Sequence, residues 1–277
     1  MMENKTVRLE VPYEKASLSS EGCLAELDLY PIASHENIEI TRRPAVIICP
    51  GGGYEYCSVR EAEPIALRYA AFGVSAFVLR YSCVNKKFPT ALLEVAQAMA
   101  YVRKNAEELG VDPDKIIICG FSAGGHLAGS LAVHWNKSFI TDALGGDKEL
   151  YKPNGAVLCY PVITSGEKRH DGSIINIAGE DPSAEMLETL ALEKQVTKDT
   201  PPTFLWHTAD DGCVPVENTL MFASALAAKG IPFACHIFKN GDHGLALCDD
   251  TTAGYEGHIN PDCARWFEMS VQWIKAL

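Results

Sequence analysis

Short apolar runs alternate along the chain with longer segments in which apolar residues recur every three or four positions. The apolar runs are bounded by Gly, Pro, Asn and Asp, which is typical of buried strands. They predict strands near residues 6–12, 23–30, 44–50, 74–81, 115–120, 155–161, 202–208 and 232–238. Helical periodicity predicts helices near residues 61–73, 89–109, 123–134, 217–229 and 262–276.

Strands that alternate with helices indicate an α/β fold, in which a parallel sheet carries helices on both faces. The first two predicted strands have no helix between them, so we expect them to form an antiparallel N-terminal edge. No linker of low complexity, charge block or repeat divides the chain. The pattern therefore predicts one domain over residues 1–277, built on a mostly parallel eight-stranded sheet.

Residues 162–200 form the longest stretch without a clear strand. Asp181-Pro182-Ser183 is typical of a helix start with Pro182 as the first helical residue. The segment has room for a short helix or two, so we expect little or no cap over the sheet.

Net charge and cysteine usage indicate which binding partners and which cellular compartment to expect. With 36 acidic and 24 basic residues the net charge is −12, which disfavours nucleic acid and membrane partners. The N-terminal residues lack the apolar core of a signal peptide, and the ten cysteines are scattered without a CxxC pair, which together predict a reduced, cytoplasmic protein. The pattern leaves the oligomeric state open.

The eight histidines show no spacing typical of a metal site, so we expect neither a metal nor another cofactor. Four of them lie on predicted helices or strands and are interpreted as packing or surface residues: His126, His134, His207 and His236.

The segment Gly120-Phe121-Ser122-Ala123-Gly124 carries the most specific chemistry. Four apolar residues precede it, and an Ala- and Leu-rich helical pattern follows it. A Gly-x-Ser-x-Gly motif between a strand and a helix indicates a nucleophile elbow, a sharp turn that exposes the serine hydroxyl. Ser122 is therefore the candidate nucleophile.

A nucleophile elbow is typically followed in the chain by an acid and then a histidine. Asp210 and Asp211 come directly after the strand near 202–208, and His243 follows the strand near 232–238. His243 is the candidate general base, and a carboxylate would hold its tautomer. Asp211 begins an Asp-x-x-Val-Pro turn and is the favoured acid, with Asp210 as the alternative.

The glycine run after the strand near 44–50 is the candidate oxyanion hole. Glycines let backbone N–H groups approach a developing oxyanion without a side chain in the way. Gly52, Gly53 and Ala123 are the expected donors. Tyr54 and Tyr56 follow the glycine run and could stack against a ring of the substrate, such as a sugar, with loop packing as the alternative for both.

The pair Arg60-Glu61 lies shortly after the glycine run. We interpret it as an ion pair that orders the glycine loop, rather than as part of a substrate pocket.

These motifs give the chain a resemblance, over about residues 20–275, to the α/β-hydrolase superfamily. Within it the chain is most similar to acetylesterase and acetyl-xylan-esterase-like proteins, the sugar hydrolases or "xylanase-like" esterases. The resemblance implies a Ser122, Asp211 and His243 triad with Gly52, Gly53 and Ala123 as oxyanion donors. The matching segments are Pro50-Gly51-Gly52-Gly53-Tyr54, Arg60-Glu61, Gly120 to Ala128, Thr200-Pro201-Pro202, His207 to Asp211, Val214-Pro215 and Gly241-Asp242-His243-Gly244.

One position departs from the pattern of the wider lipase and esterase group. Pro50 stands where those proteins carry a histidine before the three glycines. The departure leaves the glycine donors in place but weakens any analogy with enzymes that act on lipid esters.

The resemblance implies a serine carboxylesterase acting on a small-molecule ester, with an acetylated sugar or xylo-oligosaccharide as the favoured substrate. A small-peptide hydrolase or a lactonase on the same fold are alternatives within the enzymes. A catalytically silent binding module is the alternative from another class, and it would be expected to lack the serine, the histidine or the glycine run.

Overall fold

The computed structural model describes residues 5–33 and 36–277 of the chain. Its eight strands form one sheet in the order β1-β2-β4-β3-β5-β6-β7-β8. They are β1 (Lys5–Arg8), β2 (Glu26–Tyr30), β3 (Arg43–Cys49), β4 (Ser75–Arg80), β5 (Val111–Phe121), β6 (Gly155–Cys159), β7 (Thr203–Thr208) and β8 (Phe233–Phe238). Strand β2 pairs antiparallel with β1 and β4, and all other neighbours are parallel, so the predicted sheet with an antiparallel edge is confirmed.

Helices cover both faces of this sheet. The described α-helices are α1 (Glu63–Ala71), α2 (Thr90–Lys104), α3 (Ala123–His134), α4 (Ser138–Leu144), α5 (Asp171–Ala178), α6 (Ala184–Leu190), α7 (Leu192–Gln195), α8 (Glu217–Ala228) and α9 (Pro261–Ala276). Helices α2, α3 and α8 pack on one face, while α1 and α9 pack on the other. Strands between two covered faces must be apolar on both sides. In β3, Ile47 faces the first helix layer and Ile48 the second, and both are fully buried.

The ends of two elements differ from the sequence prediction, and one helix is additional to it. Strand β1 ends at Arg8 rather than near residue 12, and the chain enters a 3₁₀ turn at Tyr13–Ala16. Helix α2 ends at Lys104 rather than near 109, because the Asn105 side chain bonds the Tyr101 carbonyl and Gly110 turns the chain at φ +63°. Helix α4 lies outside the predicted set.

The segment 162–200 contains three short helices, α5, α6 and α7, where one or two were predicted. Ser183 caps α6, since its side-chain oxygen accepts a hydrogen bond from the Met186 N–H at 3.1 Å. Pro182 therefore precedes the cap and is not the first helical residue, contrary to the prediction. The longest helix of the segment has eight residues.

The carboxyl ends of β3, β5, β7 and β8 lie along one edge of the sheet, where sites in open α/β folds are found. The loops that follow these strands carry the predicted glycine run, serine, aspartates and histidine. In the described part of the chain, no helix is long and apolar enough to cross a bilayer.

Candidate active site

Ser122 lies on a sharp turn between β5 and α3. Its backbone has φ 54° and ψ −120°, a conformation that L-residues rarely adopt. The turn is held by two hydrogen bonds: the Ser122 N–H donates to the Cys159 carbonyl at 3.0 Å, and the Ser122 carbonyl accepts from the Val162 N–H at 3.0 Å. The geometry is that of a nucleophile elbow.

Two glycines make this turn sterically possible. A Cβ added to Gly120 would lie 2.0 Å from the carbonyl oxygen of Gly124, and one added to Gly124 would lie 2.1 Å from the carbonyl oxygen of Cys49. Both distances are far below van der Waals contact, so neither position accepts a side chain. The strand and helix can approach this closely only because both residues of the motif are glycine.

The structure brings Ser122, His243 and Asp211 into one hydrogen-bonded row. His243 Nε2 lies 2.8 Å from Ser122 Oγ, and His243 Nδ1 lies 2.7 Å from Asp211 Oδ2. A carboxylate only accepts, so Nδ1 carries the proton and Nε2 is left free to accept the serine proton. The Asp211 side chain is 0% exposed and that of His243 is 19% exposed.

The two aspartates have separate positions. Asp211 turns inward to His243, and its other oxygen accepts from the N–H groups of Cys213 and Val214 at 2.8 and 2.9 Å. Asp210 is exposed and accepts hydrogen bonds from the Asn240 amide and the Gly241 N–H. Asp210 therefore orders the loop that leads to His243 without touching the histidine itself.

His207 is a second partner of Asp211 that the sequence analysis assigned to packing. Its Nε2 lies 3.2 Å from Asp211 Oδ2 and 3.0 Å from the Val214 carbonyl, while its Nδ1 lies 2.8 Å from Thr219 Oγ1. Both partners of Nε2 are acceptors, so Nε2 carries the proton and Nδ1 accepts from the threonine hydroxyl. A histidine that faces inward on an otherwise apolar strand, four residues before the acid, was the available clue.

The environment of Asp211 favours its ionised form. Burial acts to raise the pKa of this carboxyl, but hydrogen bonds from His207 and His243, the charge on His243 and the bond from the Val214 N–H together hold the pKa below its ordinary value. The carboxylate is therefore charged at neutral pH and can stabilise a protonated His243.

The glycine loop lies directly against the serine. A Cβ added to Gly51 would meet the Cβ of Ser122 at 3.0 Å. The Gly51 N–H is engaged by Glu61, whose Oε2 lies 2.8 Å away. Among the hydrogen bonds of the described residues, none uses the N–H of Gly52, Gly53 or Ala123 as donor, so these three are free to bind an oxyanion.

Glu61 orders the loop, but by a different contact from the predicted ion pair with Arg60. Its buried carboxylate bridges the Gly51 N–H and the hydroxyl of Tyr160, which donates to Oε1 at 2.7 Å. The same tyrosine oxygen accepts from the Ala246 N–H at 2.9 Å, in the loop after His243. Arg60 instead donates to the Thr252 carbonyl.

Tyr54 does not present its side chain to a substrate. The residue is only 3% exposed, and its hydroxyl lies 2.9 Å from Nδ1 of the buried His126. The ring packs edge-on against Tyr81 and His126. The prediction that Tyr54 stacks on a sugar is therefore wrong, and loop packing is its role. Tyr56 is 60% exposed.

The described residues contain no group of three or more His, Cys, Asp and Glu side chains placed to hold a metal ion.

Comparison with known proteins identifies the family. A sequence profile of the BD-FAE family matches residues 27–226. Endo-1,4-beta-xylanase B of Butyrivibrio fibrisolvens is 40% identical over 218 residues, which cover 76% of this chain and 33% of that protein. The acetylxylan esterase of Xylanibacter ruminicola is 27% identical over 230 residues, 81% of this chain and 45% of that protein. The chain thus spans between a third and a half of the length of these two relatives.

A solved structure gives the same assignment at the level of the fold. The acetyl ester-xyloside bifunctional hydrolase from Caldicellulosiruptor lactoaceticus is 37% identical, with a TM-score of 0.79 over 91% of this chain and 87% of that one. The chain therefore belongs to the BD-FAE family, and the domain that it forms is of the carboxylic ester hydrolase class with the α/β-hydrolase fold.

Proposed function

We propose that this protein is a serine carboxylesterase that removes short acyl groups, with acetyl esters of sugars or xylo-oligosaccharides as the favoured substrates. The observation that carries the proposal is the continuous row of hydrogen bonds from Asp211 through His243 to Ser122, at 2.7 and 2.8 Å. Nucleophile and base within hydrogen-bond reach, with a third group orienting the base, are the arrangement required for acyl transfer.

The reaction proceeds through an acyl-enzyme. Ser122 Oγ attacks the ester carbonyl while His243 Nε2 takes the hydroxyl proton, and Asp211 stabilises the resulting imidazolium. The carbonyl oxygen becomes an oxyanion, which the N–H groups of Gly52, Gly53 and Ala123 bind. His243 then returns the proton to the leaving alcohol, and a water molecule, activated by the same nitrogen, releases the acyl group from Ser122.

Two observations support a short acyl group and a sugar alcohol. The segment 162–200 provides only helices of four to eight residues, which leaves little apolar surface to cover a long chain. Relatives of this chain include a protein named acetylxylan esterase and one named acetyl ester-xyloside bifunctional hydrolase.

A substrate panel tests the proposal. We expect the protein to hydrolyse p-nitrophenyl acetate and to release acetate from acetylated xylo-oligosaccharides, while Ser122→Ala does neither. Hydrolysis of peptide p-nitroanilides or lactones in preference to acetate esters would instead identify a peptidase or a lactonase. Inactivity on all four substrate classes would favour a binding module.

A further inference from the structure

Two cysteines lie side by side next to the glycine loop. Cys57 follows the loop, and Cys83 follows β4, with their Sγ atoms 3.9 Å apart. Neither residue is fully buried, which leaves the pair open to solvent. Cys119 and Cys159 also adjoin each other, as do Cys248 and Cys263, but all four are buried.

We propose that Cys57 and Cys83 form a reversible disulfide with each other, by exchange with a low-molecular-weight disulfide such as oxidised glutathione. This bond lowers esterase activity by displacing the glycine loop. The effect on activity rests on the proposed function, whereas formation of the disulfide does not.

The exchange proceeds in two balanced steps. The Cys57 thiolate attacks one sulfur of oxidised glutathione, whose S–S bond breaks, and one glutathione leaves with the electron pair and takes up a proton. Cys83 then loses its proton and attacks the Cys57 sulfur, which releases the second glutathione. Two protein thiols are oxidised, and one glutathione disulfide is reduced to two thiols.

The surroundings of the pair favour Cys57 as the attacking thiol. The contact between the two sulfurs lowers the pKa of Cys57 despite its burial, and the same contact raises the pKa of Cys83. The thiolate is the nucleophile in disulfide exchange, so Cys57 reacts first and Cys83 resolves the mixed disulfide.

Closing the disulfide strains the glycine loop through two hydrogen bonds. The Ser58 N–H donates to the Gly51 carbonyl at 2.9 Å, and the Tyr56 N–H donates to the Gly52 carbonyl at 3.2 Å. These two peptide groups carry the N–H donors of Gly52 and Gly53. A disulfide requires sulfurs about 2.05 Å apart, whereas these lie 3.9 Å apart. Side-chain rotation supplies part of this approach, and the proposed displacement of the donors requires residues 56–58 to supply the rest.

The loop side of the pair is the side that yields. Next to Cys83, the Ser82 N–H donates to the buried Glu94 carboxylate at 2.7 Å and the Ser82 hydroxyl accepts from the Leu24 N–H at 2.7 Å, which anchors the backbone on that side. Cys57 stands in an irregular segment between the glycine loop and the 3₁₀ turn at Val59–Glu61. Complete loss of one oxyanion donor lowers the rate by about 10². The disulfide moves the donors only partly out of position, so we expect kcat to fall by roughly tenfold.

The test treats the reduced protein with oxidised glutathione and follows mass, exchange and activity together. We expect a mass decrease equal to two hydrogen atoms, a linked peptide that joins Cys57 to Cys83, altered amide exchange in residues 50–58, and a roughly tenfold fall in kcat. Dithiothreitol should reverse each of these four changes. Cys57→Ser and Cys83→Ser keep their rates in oxidant, while the exposed Cys213→Ser responds like the wild type.

Other outcomes overturn the proposal. Glutathione adducts without the linked peptide, a linked peptide without change in exchange, or the same loss of rate in Cys57→Ser would each do so. If the reduced protein hydrolyses no ester, the proposed function fails. The linked peptide and the exchange of residues 50–58 then still decide whether the disulfide forms and moves the loop.

Discussion

At the scale of single residues, Ser122 combines its proposed role as nucleophile with an unfavourable backbone conformation. Its φ of 54° costs about 1–3 kcal/mol relative to a relaxed residue. Ser122→Ala keeps that cost and removes the nucleophile, so we expect kcat to fall by about 10⁶. Ser122→Gly removes the nucleophile and the strain together. We expect the free energy of unfolding of Ser122→Gly, measured in urea, to be about 1 kcal/mol higher than that of Ser122→Ala.

A fluorophosphonate probe provides the matching chemical measurement. It should label Ser122 in the wild type and no residue in either variant. Labelling of another serine, or retained activity in Ser122→Ala, would rule out this mechanism.

The neighbouring aspartates provide a matched pair of variants. Asp211→Asn replaces the acceptor of the His243 Nδ1 proton with a group that favours the wrong tautomer, and we expect a loss of about 10⁴ in kcat. Asp210→Asn keeps an acceptor for one of the two donors, Asn240 and Gly241, and leaves the contacts of His243 unchanged, so it should cost much less. Steady-state kinetics on p-nitrophenyl acetate compare the two, and the reverse order would assign the acid to Asp210.

His207 holds the carboxylate of Asp211 ionised and in position for its hydrogen bond with His243. Its Nε2 hydrogen bond goes to a charged group, and such bonds are worth about 1.5–3 kcal/mol. His207→Leu removes the donor, so we expect a 10- to 100-fold lower kcat. His207→Gln retains an N–H donor at the end of the side chain and should recover part of the loss. Equal rates in both variants, with unchanged circular dichroism, would show that the donor is not used.

At the scale of elements, the proposed preference for short acyl groups rests on the short helices of 162–200. Each buried CH₂ contributes about 0.8 kcal/mol to binding, but only if apolar surface encloses it. Helices α5, α6 and α7 are too short to form a lid, so kcat/KM should fall from p-nitrophenyl acetate to butyrate and octanoate. A rise with chain length would indicate a lipase-like pocket.

Most elements could be predicted from the sequence because their patterns are local. The strand before Ser122 is a continuous apolar run, and the glycines at 120 and 124 restrict what kind of turn can follow it. Helix α4 and the ends of β1 and α2 could not be predicted this way. Their limits are set by contacts such as the bond between Asn105 and the Tyr101 carbonyl, which apolar periodicity does not record.

The site shows the same division between local and tertiary information. Chain order and strand ends were enough to predict that Ser122, Asp211 and His243 would meet. The sequence does not indicate that Tyr54 is buried, because its hydroxyl contacts His126, which lies 72 residues away. It does not indicate the role of His207 either, because no motif spacing relates His207 to Thr219 and Asp211. Glu61 was expected to pair with its neighbour, whereas its partners come from distant loops.

At the scale of the whole molecule, two buried histidines make stability depend on pH. Burial lowers the pKa of His126 to about 4 and that of His134 to about 4. An unfolded histidine binds a proton below about pH 6.5, so between pH 6.5 and 4 the unfolded state binds more protons. These two residues therefore stabilise the fold fully above pH 6.5 and lose this contribution as the pH falls toward 4.

Burial raises the pKa of Glu94 to about 7, so the titration of Glu94 changes the stability in the opposite direction over this pH range. Comparing the wild type with a histidine variant cancels the contribution of Glu94 and isolates that of the histidine. The free energy of unfolding is measured in urea at pH 7 and pH 4 for the wild type and His126→Gln. We expect the difference between them to shrink by an amount on the order of 3 kcal/mol at the lower pH. A difference that does not change with pH would show that His126 titrates normally.

The bridge from Gly51 through Glu61 and Tyr160 to Ala246 has a consequence for synthesis of the protein. The ribosome makes the chain from the N-terminus at about 5–20 residues per second, so the glycine loop and Ser122 emerge well before His243 and Ala246. Until the last strand and the loop after it have been made, the serine has no base and the Tyr160 hydroxyl has no Ala246 donor. If Ser122 acts as proposed, it therefore becomes a nucleophile only after His243 has been synthesised and has folded against it.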